Sequence, residues 1–549
     1  MASAHDEDDQ GARGAELSSG LGAGWAPLAH PVFRSLWIAN VVSLIGTWCH
    51  ELGAAWLMTS LTADPLMVSL VQAATTLPMF LLAIPAGALA DVVDRRRLLL
   101  ATQSWSCVAA AFLGLLTLTG GTGTLALLAL TFAMGLGVAA SAPAWFAVLS
   151  ELVPVSQVPV AVTLNGVAMN VSRAVGPALG GAVIAAAGPA WAFFLNAASY
   201  LGLIATVYRW DRPRQVSALP AERLFGAMRA GIRYVRFAPE LRAVLWRSAA
   251  FVLGASAFWA LLPLLARAEL GRGPQGYGFM VGSVGVGALT TATFLPAVRR
   301  RDPRNRSLAA AWLLFAAALL TLAHLRVFPA VCLVLWAAGA AWMLLLTSFI
   351  AGAQLAAPTW VRGRAMSVHL LSTFGGLALG SAFWGYAARL TSVPRALELA
   401  AAALALGFAA TRHLRIPSGG RDLTPFGRWR EAQPPPAPLL ARGPVAITVE
   451  YQIDPRTVEG FLDAMRDVRE IRLRDGAIRW ELYSDPADPE RYQELFVVES
   501  WAEHLRQHER LTAADREVLK RCHSYHRGEP RQKVSHWLAE PVAPRRPRS

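Results

Sequence analysis

Lysine is almost missing from this chain: of its 51 basic residues only Lys520 and Lys533 are lysines, and the rest are arginines. Neither follows a glycine, so no Walker A phosphate loop is present and the polypeptide encodes no ATP-driven pump of that kind. Cysteine is sparse too. Cys49, Cys107, Cys332 and Cys522 lie far apart without CxxC spacing, which leaves neither a zinc-ligand set nor a disulfide framework. Charge is scarce: 16% of the 549 residues are charged, where a soluble domain carries about 25%. The first thirty residues lack the basic start and apolar stretch of a secretory signal and open with Asp6-Glu7-Asp8-Asp9. A short disordered cytoplasmic tail over 1–32 is expected there.

What the chain has instead is apolar length, with 54% of its residues hydrophobic. From about Phe33 to Thr411 it runs as twelve apolar stretches, each near the roughly 20 residues that span a bilayer: 34–58, 66–89, 98–119, 124–149, 160–186, 190–209, 244–267, 275–298, 308–325, 328–355, 366–388 and 394–412. In hydrocarbon every backbone polar group must be satisfied within its own segment, so these stretches predict helices. The arginines give the orientation. They crowd the loops after the second, sixth, eighth and tenth stretches, beginning with Arg95, Arg96 and Arg97, while 59–65, 119–124 and 187–190 hold no basic residue. Arg267, Arg272, Arg326, Arg389 and Arg395 fall on the other side. Both termini are expected in the cytoplasm of a multi-pass protein of the bacterial inner membrane. The arginine excess marks loops and tail, and nucleic acid is not an expected partner.

A long loop divides the stretches six and six, giving bundles over 33–210 and 244–412 with a central loop over 211–243. Within the loop, Phe225, Met228, Ile232 and Val235 recur at helical spacing beside Arg229, Arg233 and Arg236. That pattern predicts a basic amphipathic helix suited to lying on anionic lipid. The halves echo each other: Gly176-Pro177-Ala178-Leu179-Gly180-Gly181 returns as Gly376-Leu377-Ala378-Leu379-Gly380-Ser381. Parallel six-helix repeats are a transporter architecture. After Thr411 the character changes. Residues 413–443 contain Pro434-Pro435-Pro436 and read as a stiff linker. Residues 444–549 alternate as strand, helix, strand, strand, helix, strand, with strands expected at Val445–Ile453, Ala477–Tyr483, Leu495–Trp501 and Lys533–Leu538 and the second helix at Ala502–Cys522. That order is ferredoxin-like. The predicted fold class is an all-α polytopic membrane protein of twelve transmembrane helices in two six-helix bundles, followed by a C-terminal α+β ferredoxin-like domain.

Two motifs carry a resemblance. Gly87-Ala88-Leu89-Ala90-Asp91-Val92-Val93-Asp94-Arg95 resembles the signature loop of the major facilitator superfamily; Gly87, Asp91 and Arg95 match it, and Asp94 stands where the family usually has glycine. A carboxylate and a guanidinium in such a turn pair across the bundles in one conformation and part in the other. Gly176, Pro177, Gly180 and Gly181 resemble the Gly-Pro-x-x-Gly-Gly motif of exporters in that superfamily, with Ser172 in place of its leading glycine. The fourth stretch, Thr131–Pro154, has no arginine, so the Arg-bearing motif of many proton-driven members is missing. The tail resembles the antibiotic-biosynthesis-monooxygenase-like fold through Phe496-Val497-Val498-Glu499-Ser500-Trp501 and the helix carrying His504 and His508.

Polar residues inside the apolar stretches are the remaining candidates, because a charge in a membrane is costly and usually functional. Arg173 is expected near mid-membrane with Asn165 and Asn170 close to its face, lining a cavity or holding the arginine in place. His50 and Glu51 in the first stretch form a candidate proton site, a buried carboxylate beside a titratable imidazole, unless they reach the interface and are solvated. Gln72, Gln103, Gln354 and His369 are further cavity candidates or packing contacts.

The whole chain resembles a subgroup of the major facilitator superfamily similar to enterobactin exporters, some of which carry such a tail. The resemblance implies a transporter, not an enzyme, that expels a small organic molecule (siderophore, drug or metabolite) by alternating access. Protons are the expected coupling ion, membrane lipids are expected partners, and no cofactor or metal is expected. Dimerisation or regulation is the expected use of the tail, which could also be a vestigial monooxygenase. Two other readings stay open: a membrane-anchored monooxygenase or sensor, and an importer.

Overall fold

The computed structural model describes residues 24–83, 85, 86, 89, 93–210, 232–301, 306–417, 422–424, 442–528 and 533–540, apart from the side chains of 150, 292 and 294–301. Among the described residues twelve long helices follow one another: α1 Pro31–Leu61, α2 Pro65–Leu82, α3 Arg95–Leu118, α4 Thr124–Glu151, α5 Val158–Ala187, α6 Pro189–Arg209, α7 Pro239–Leu264, α8 Pro274–Arg301, α9 Arg306–His324, α10 Phe328–Leu355, α11 Arg362–Leu390 and α12 Val393–Thr411. Eleven of them are long and apolar enough to cross a membrane. The exception is α8. It is fully helical over 28 residues, but Gly276, Gly278, Gly282, Gly285 and Gly287 contribute no apolar side chains and three arginines end it, so its composition falls short of the other spans. Of the expected central amphipathic helix, 232–237 is helical, while Phe225, Met228 and Arg229 lie outside the described residues.

Local chemistry sets where the helices start. Asp64 caps α2 by accepting from Leu66 N at 3.0 Å, with Pro65 at the first helical position, and Asp94 caps α3 through Arg97 N at 3.0 Å. Between α5 and α6 the single residue Gly188 turns the chain at φ +91°, a conformation open mainly to glycine.

The chain divides into two compact units: residues up to 221 with Trp246–Ser348 and Leu370–Leu414, and Glu222–Leu245 with Phe349–His369 and Arg415–Ser549, as far as these are described. In the first unit α1 packs on α5 and α6, α3 on α4 and α6, α2 on α4, α9 on α12, and α5 on α8. Phe251 gathers Trp312, Phe315 and Trp342 within 5.1 to 5.7 Å as one aromatic core.

In the second unit four strands, β1 Val445–Gln452, β2 Ala477–Ser484, β3 Arg491–Val498 and β4 Val534–Leu538, form an antiparallel sheet in the order β2-β3-β1-β4. Helix α13, Val458–Asp475, joins β1 to β2, and α14, Trp501–Arg510, and α15, Ala513–His523, join β3 to β4. The alternation legible in the sequence sets the faces: Val445, Ile447, Val449 and Tyr451 point into a core with Phe461, Val468 and Phe496. The single second helix expected over Ala502–Cys522 is broken. Leu511 is extended (φ −60°, ψ 132°), and Thr512 restarts the chain as α15 through a capping box with Asp515. The third strand spans Arg491–Val498, earlier than expected.

The tail core encloses a charge. Glu494, fully buried, accepts from Tyr451 OH at 3.1 Å, Trp480 Nε1 at 2.9 Å and Arg472 Nε at 3.0 Å. Both lysines belong to this part of the chain: Lys520, on α15, meets Glu517 at 2.7 Å and is 53% exposed, and Lys533, beside β4, is 75% exposed.

Candidate functional site

α5 is where the polar candidates gather. Pro177 removes one of its helical hydrogen bonds, and its glycines present bare backbone in two directions. A Cβ on Gly176 would stand 2.5 Å from Trp48 Cβ, and one on Gly180 2.9 Å from Cys49 Cα, so this face lies directly on α1. Cys49 Sγ donates to Gly176 O at 3.1 Å across the contact. Gly181 faces α8 instead, where a Cβ would meet Pro274 O at 2.8 Å and Gly278 Cα at 3.0 Å. From the other side, a Cβ on Gly278 would lie 2.6 Å from Pro177 O, and one on Gly285 2.6 Å from Ala174 Cα. Gly278, Gly282 and Gly285 share one helical face by their spacing, the small-residue pattern that lets membrane helices touch backbone to backbone. That stripe went unnoticed in the sequence, although its spacing was there to read.

Beside Pro177 lies a cavity of about 40 Å³ whose lining includes Trp48, Glu51, Gln72, Thr75, Trp259 and Tyr277. At about 10–15 Å³ per water it has room for roughly three waters and no organic solute. Arg173 stands with its guanidinium 5.6 Å from the Trp48 ring centre and is electrostatically coupled to Glu51. Its Nε is buried without a hydrogen-bond partner. A carboxyl group from α1 thus lines this constricted, largely apolar space, and a guanidinium from α5 stands over Trp48, one of its lining residues.

The other candidates divide. Gln72 lines the cavity. His50 does not: it is fully buried, its ring lies 4.7 Å from Phe193 of α6, and neither ring nitrogen is hydrogen-bonded. Successive helical positions are about 100° apart, so the turn that brings Glu51 to the cavity carries His50 away from it. Asn165 accepts from Trp145 Nε1 at 3.0 Å and ties α5 to α4, and Asn170 donates to Gly166 O at 2.9 Å within its own helix. His369 is buried on α11 and is not part of the cavity wall.

Of the signature loop, Gly87 and Asp91 lie outside the described residues. Arg95, the first residue of α3, pairs with Glu151 at the end of α4, and Arg96 donates to Val207 O at 3.2 Å. The partner Arg95 has here is therefore in its own half of the helix series. At the opposite helix ends the two halves are joined. Arg267, just past α7, stands 5.3 Å from the Trp56 ring centre and donates to Thr59 Oγ1 at 3.1 Å. Arg389 of α11 lies 3.7 Å from Asp64, and Trp56 stacks on Tyr277 at 6.1 Å. The sequence had marked Arg267 and Arg389 only as strays on the wrong side.

In the tail, His504 Nε2 lies 3.0 Å from His536 Nε2 and 3.2 Å from His508 Nε2. Burial, then the positive charge of neighbouring His508, His536 and Arg472, pushes His504 down to about 3. His508 falls to about 4, through burial, Arg472 and His536. Both imidazoles are neutral at pH 7. Among the described residues no set of three or more His, Cys, Asp or Glu is disposed to hold a metal ion.

A profile of the transmembrane secretion effector family of major facilitator proteins matches residues 22–543. The chain belongs to that family. As a major facilitator protein it is a transporter and not an enzyme. It is 23% identical over 262 residues to the staphyloferrin A transporter of Staphylococcus aureus (strain NCTC 8325 / PS 47), covering 47% of this chain and 66% of the relative. It is 28% identical over 287 residues to the uncharacterised MFS-type transporter YfiS of Bacillus subtilis (strain 168), covering 48% and 64%. The matches thus span just under two thirds of these relatives' length. Among solved structures, a bacterial homologue of the human lysosomal transporter Spinster, inward-facing and occupied, superposes with a TM-score of 0.57 at 12% identity, over 74% of this chain and 99% of that one. The nucleoside transporter NupG gives 0.57 at 13% identity, over 70% and 99%. At those identities the likeness is one of fold.

Proposed function

We propose that this major facilitator protein exports a small organic molecule, of the siderophore or drug class, from the cytoplasm by alternating access, driven by protons. The observation that carries the reading is the placement of Glu51 and Arg173 about Trp48: a carboxyl group facing a constricted cavity and a guanidinium over a ring that lines it, on helices whose glycines hold α1, α5 and α8 in backbone contact. A carboxylate there takes a proton when Arg173 is drawn away and loses it when the guanidinium returns, which links proton movement to helix movement. The arginine-rich loops support both termini as cytoplasmic, and the continuous helicity of α8 supports it as a twelfth span. On that orientation the helix ends joined at Arg267 and Arg389 support a state closed on the outer side. Likeness to a staphyloferrin A transporter supports the siderophore class, and membership of a family described as transmembrane secretion effectors supports the outward direction.

The domain layout of the proposal is two six-helix bundles over 33–210 and 244–412, a linker over 413–443 and a ferredoxin-like cytoplasmic domain over 444–549. The strand order β2-β3-β1-β4 supports that last assignment. On the sheet face away from the helices, Trp537 is 64% exposed in a cross-strand row with Ala446 and Val497. That apolar row supports pairing of two tails in a homodimer. Gly87, Asp91 and Arg95 act as the conformational-switch loop, with Glu151 holding Arg95 in this state.

The test uses everted membrane vesicles energised with NADH, with radiolabelled enterobactin and staphyloferrin A as probes. Energy-dependent accumulation of either, abolished by Glu51→Gln and by Arg173→Ala, is expected. Accumulation in right-side-out vesicles instead would make the protein an importer, and accumulation unaffected by both substitutions would remove the proposed coupling pair.

A further inference from the structure

The second compact unit contains more than the tail domain. It also holds the turn 232–237 that leads into α7, the end of α10 and the start of α11. Two aromatic residues of these membrane-helix ends meet two arginines of the tail. Tyr234, 3% exposed, donates from its hydroxyl to Ala356 O at 2.8 Å, just past α10. Its ring stands edge-on to Trp360, in the α10–α11 connection, at 5.8 Å. Arg474 at the end of α13 lies 5.8 Å from the Tyr234 ring centre, and Arg510 at the end of α14 lies 4.7 Å from the Trp360 ring centre.

Neither arginine is loose. Arg474 is fixed by Asp475 at 2.8 Å and Asp515 at 2.7 Å, and Arg510 by Glu503 at 2.6 Å. Glu503 reaches back to Arg233 at 3.0 Å, where both side chains are nearly buried. Phe237 packs on the hydrophobic core of the tail itself. Burial opposes charge on Glu503, yet its contacts with Arg510 and Arg233 hold the carboxyl below its ordinary value, so the ion pair is complete at neutral pH. Cations fixed by carboxylates and set against ring faces away from water make strong contacts of this type.

We propose that the tail is a clamp on the transporter: it fastens the turn before α7 to the α10–α11 connection and thereby governs how the helices that leave this cluster move during alternating access. α7, α10 and α11 each begin or end here and continue into the first unit, so a fastening at their ends is transmitted along rigid helices. The inference rests on the alternating-access reading for its consequence, but not on the direction of transport or on the substrate.

Its test is a cavity reporter in the full chain. Gln72→Cys, in lipid nanodiscs, is labelled with a bulky maleimide and its rate is compared with the parent's four-cysteine background. Hydrogen exchange of the 356–362 peptide is followed in the same samples. One partly buried cation–π contact is worth a factor of about 5 to 30 in an equilibrium. Trp360→Ala and Arg510→Ala, which break the same contact from opposite sides, are expected to raise exchange of the peptide and to change the labelling rate at least about threefold. Trp360→Phe, which keeps a ring face, is expected to stay near the parent. Exchange that rises while labelling holds at the parental rate would overturn the proposal, because the contact would then be free to open without consequence. Unchanged exchange in both alanine variants would overturn it as well, because nothing would have been clamped.

Discussion

Replacing Gly278 with alanine places a methyl group 2.6 Å from Pro177 O and 3.0 Å from Gly181 Cα. Both are backbone atoms, so no side-chain rotation relieves the clash. Against an ordinary contact of about 3.5 Å, α5 and α8 must part by roughly 1 Å at their crossing. Overpacking of this kind costs about 1–3 kcal/mol, a factor of about 5 to 150 in the population of the arrangement described above. Gly282 supplies the control on the same helix face, because a Cβ there finds its nearest neighbour, Ala174 O, at 3.6 Å. Alanine also favours helix over glycine by about 1 kcal/mol, but this acts on both variants alike and cancels in the comparison. Maleimide labelling of Gln72→Cys in nanodiscs reads the shift. Gly278→Ala should change the rate at least about fivefold while Gly282→Ala leaves it near the parent. Equal rates in the two variants would refute the argument that the α5–α8 crossing sets access to the cavity.

Other outcomes follow from the same geometry. Arg267→Ala together with Arg389→Ala removes the hydrogen bond to Thr59 and the ion pair with Asp64, so the Gln72→Cys reporter should react faster with a maleimide added to the outer face of intact cells. Glu494→Ala leaves Arg472 buried beside an empty position, and loss of a buried partner costs about 3–5 kcal/mol, so the tail should unfold at lower denaturant, read by hydrogen exchange of the 458–475 peptide. His504 and His508 refuse protons in the folded tail until about 3 and about 4. The unfolded chain accepts them near the ordinary histidine value of about 6.5, so stability is undiminished above that pH and falls as pH drops below it. At pH 5 the loss is about 2 kcal/mol per histidine. Faster exchange of the 501–510 peptide at pH 5 than at pH 7, after correction for intrinsic rates, is expected, and His504→Phe with His508→Leu should flatten the difference.

Long apolar runs made most of the membrane part legible. Apolar length alone located the twelve helices, and capping residues such as Asp64 and Asp94 sit where the loops end. α8 shows the limit of that reasoning. Its glycines lower its apolarity, yet they are the residues that bring it against α5, so the feature that weakens the span signal is the feature that makes the contact. Glu51, Gln72 and Arg173 stood out because charge and amide groups are conspicuous in an apolar run. His50 stood out for the same reason and was misplaced, since adjacency in sequence is not adjacency on a helix face. Glu151, Trp360 and Tyr234 carried no signal: an acid at a helix end and aromatic residues at helix ends and connections are ordinary until partners far along the chain, Arg95, Arg510 and Arg474, are known. The break at Leu511 was hidden because the helical pattern continues through it, and only the Thr512–Asp515 capping box marks the restart.

The confinement of lysine to the tail has a practical consequence. An amine-directed dye, crosslinker or surface tether finds its only side-chain amines at Lys520 and Lys533, both substantially exposed. Apart from the α-amine of the chain, which reacts with the same reagents, a fluorophore placed this way reports on the tail, leaves the side chains of every membrane helix untouched, and needs no engineered residue.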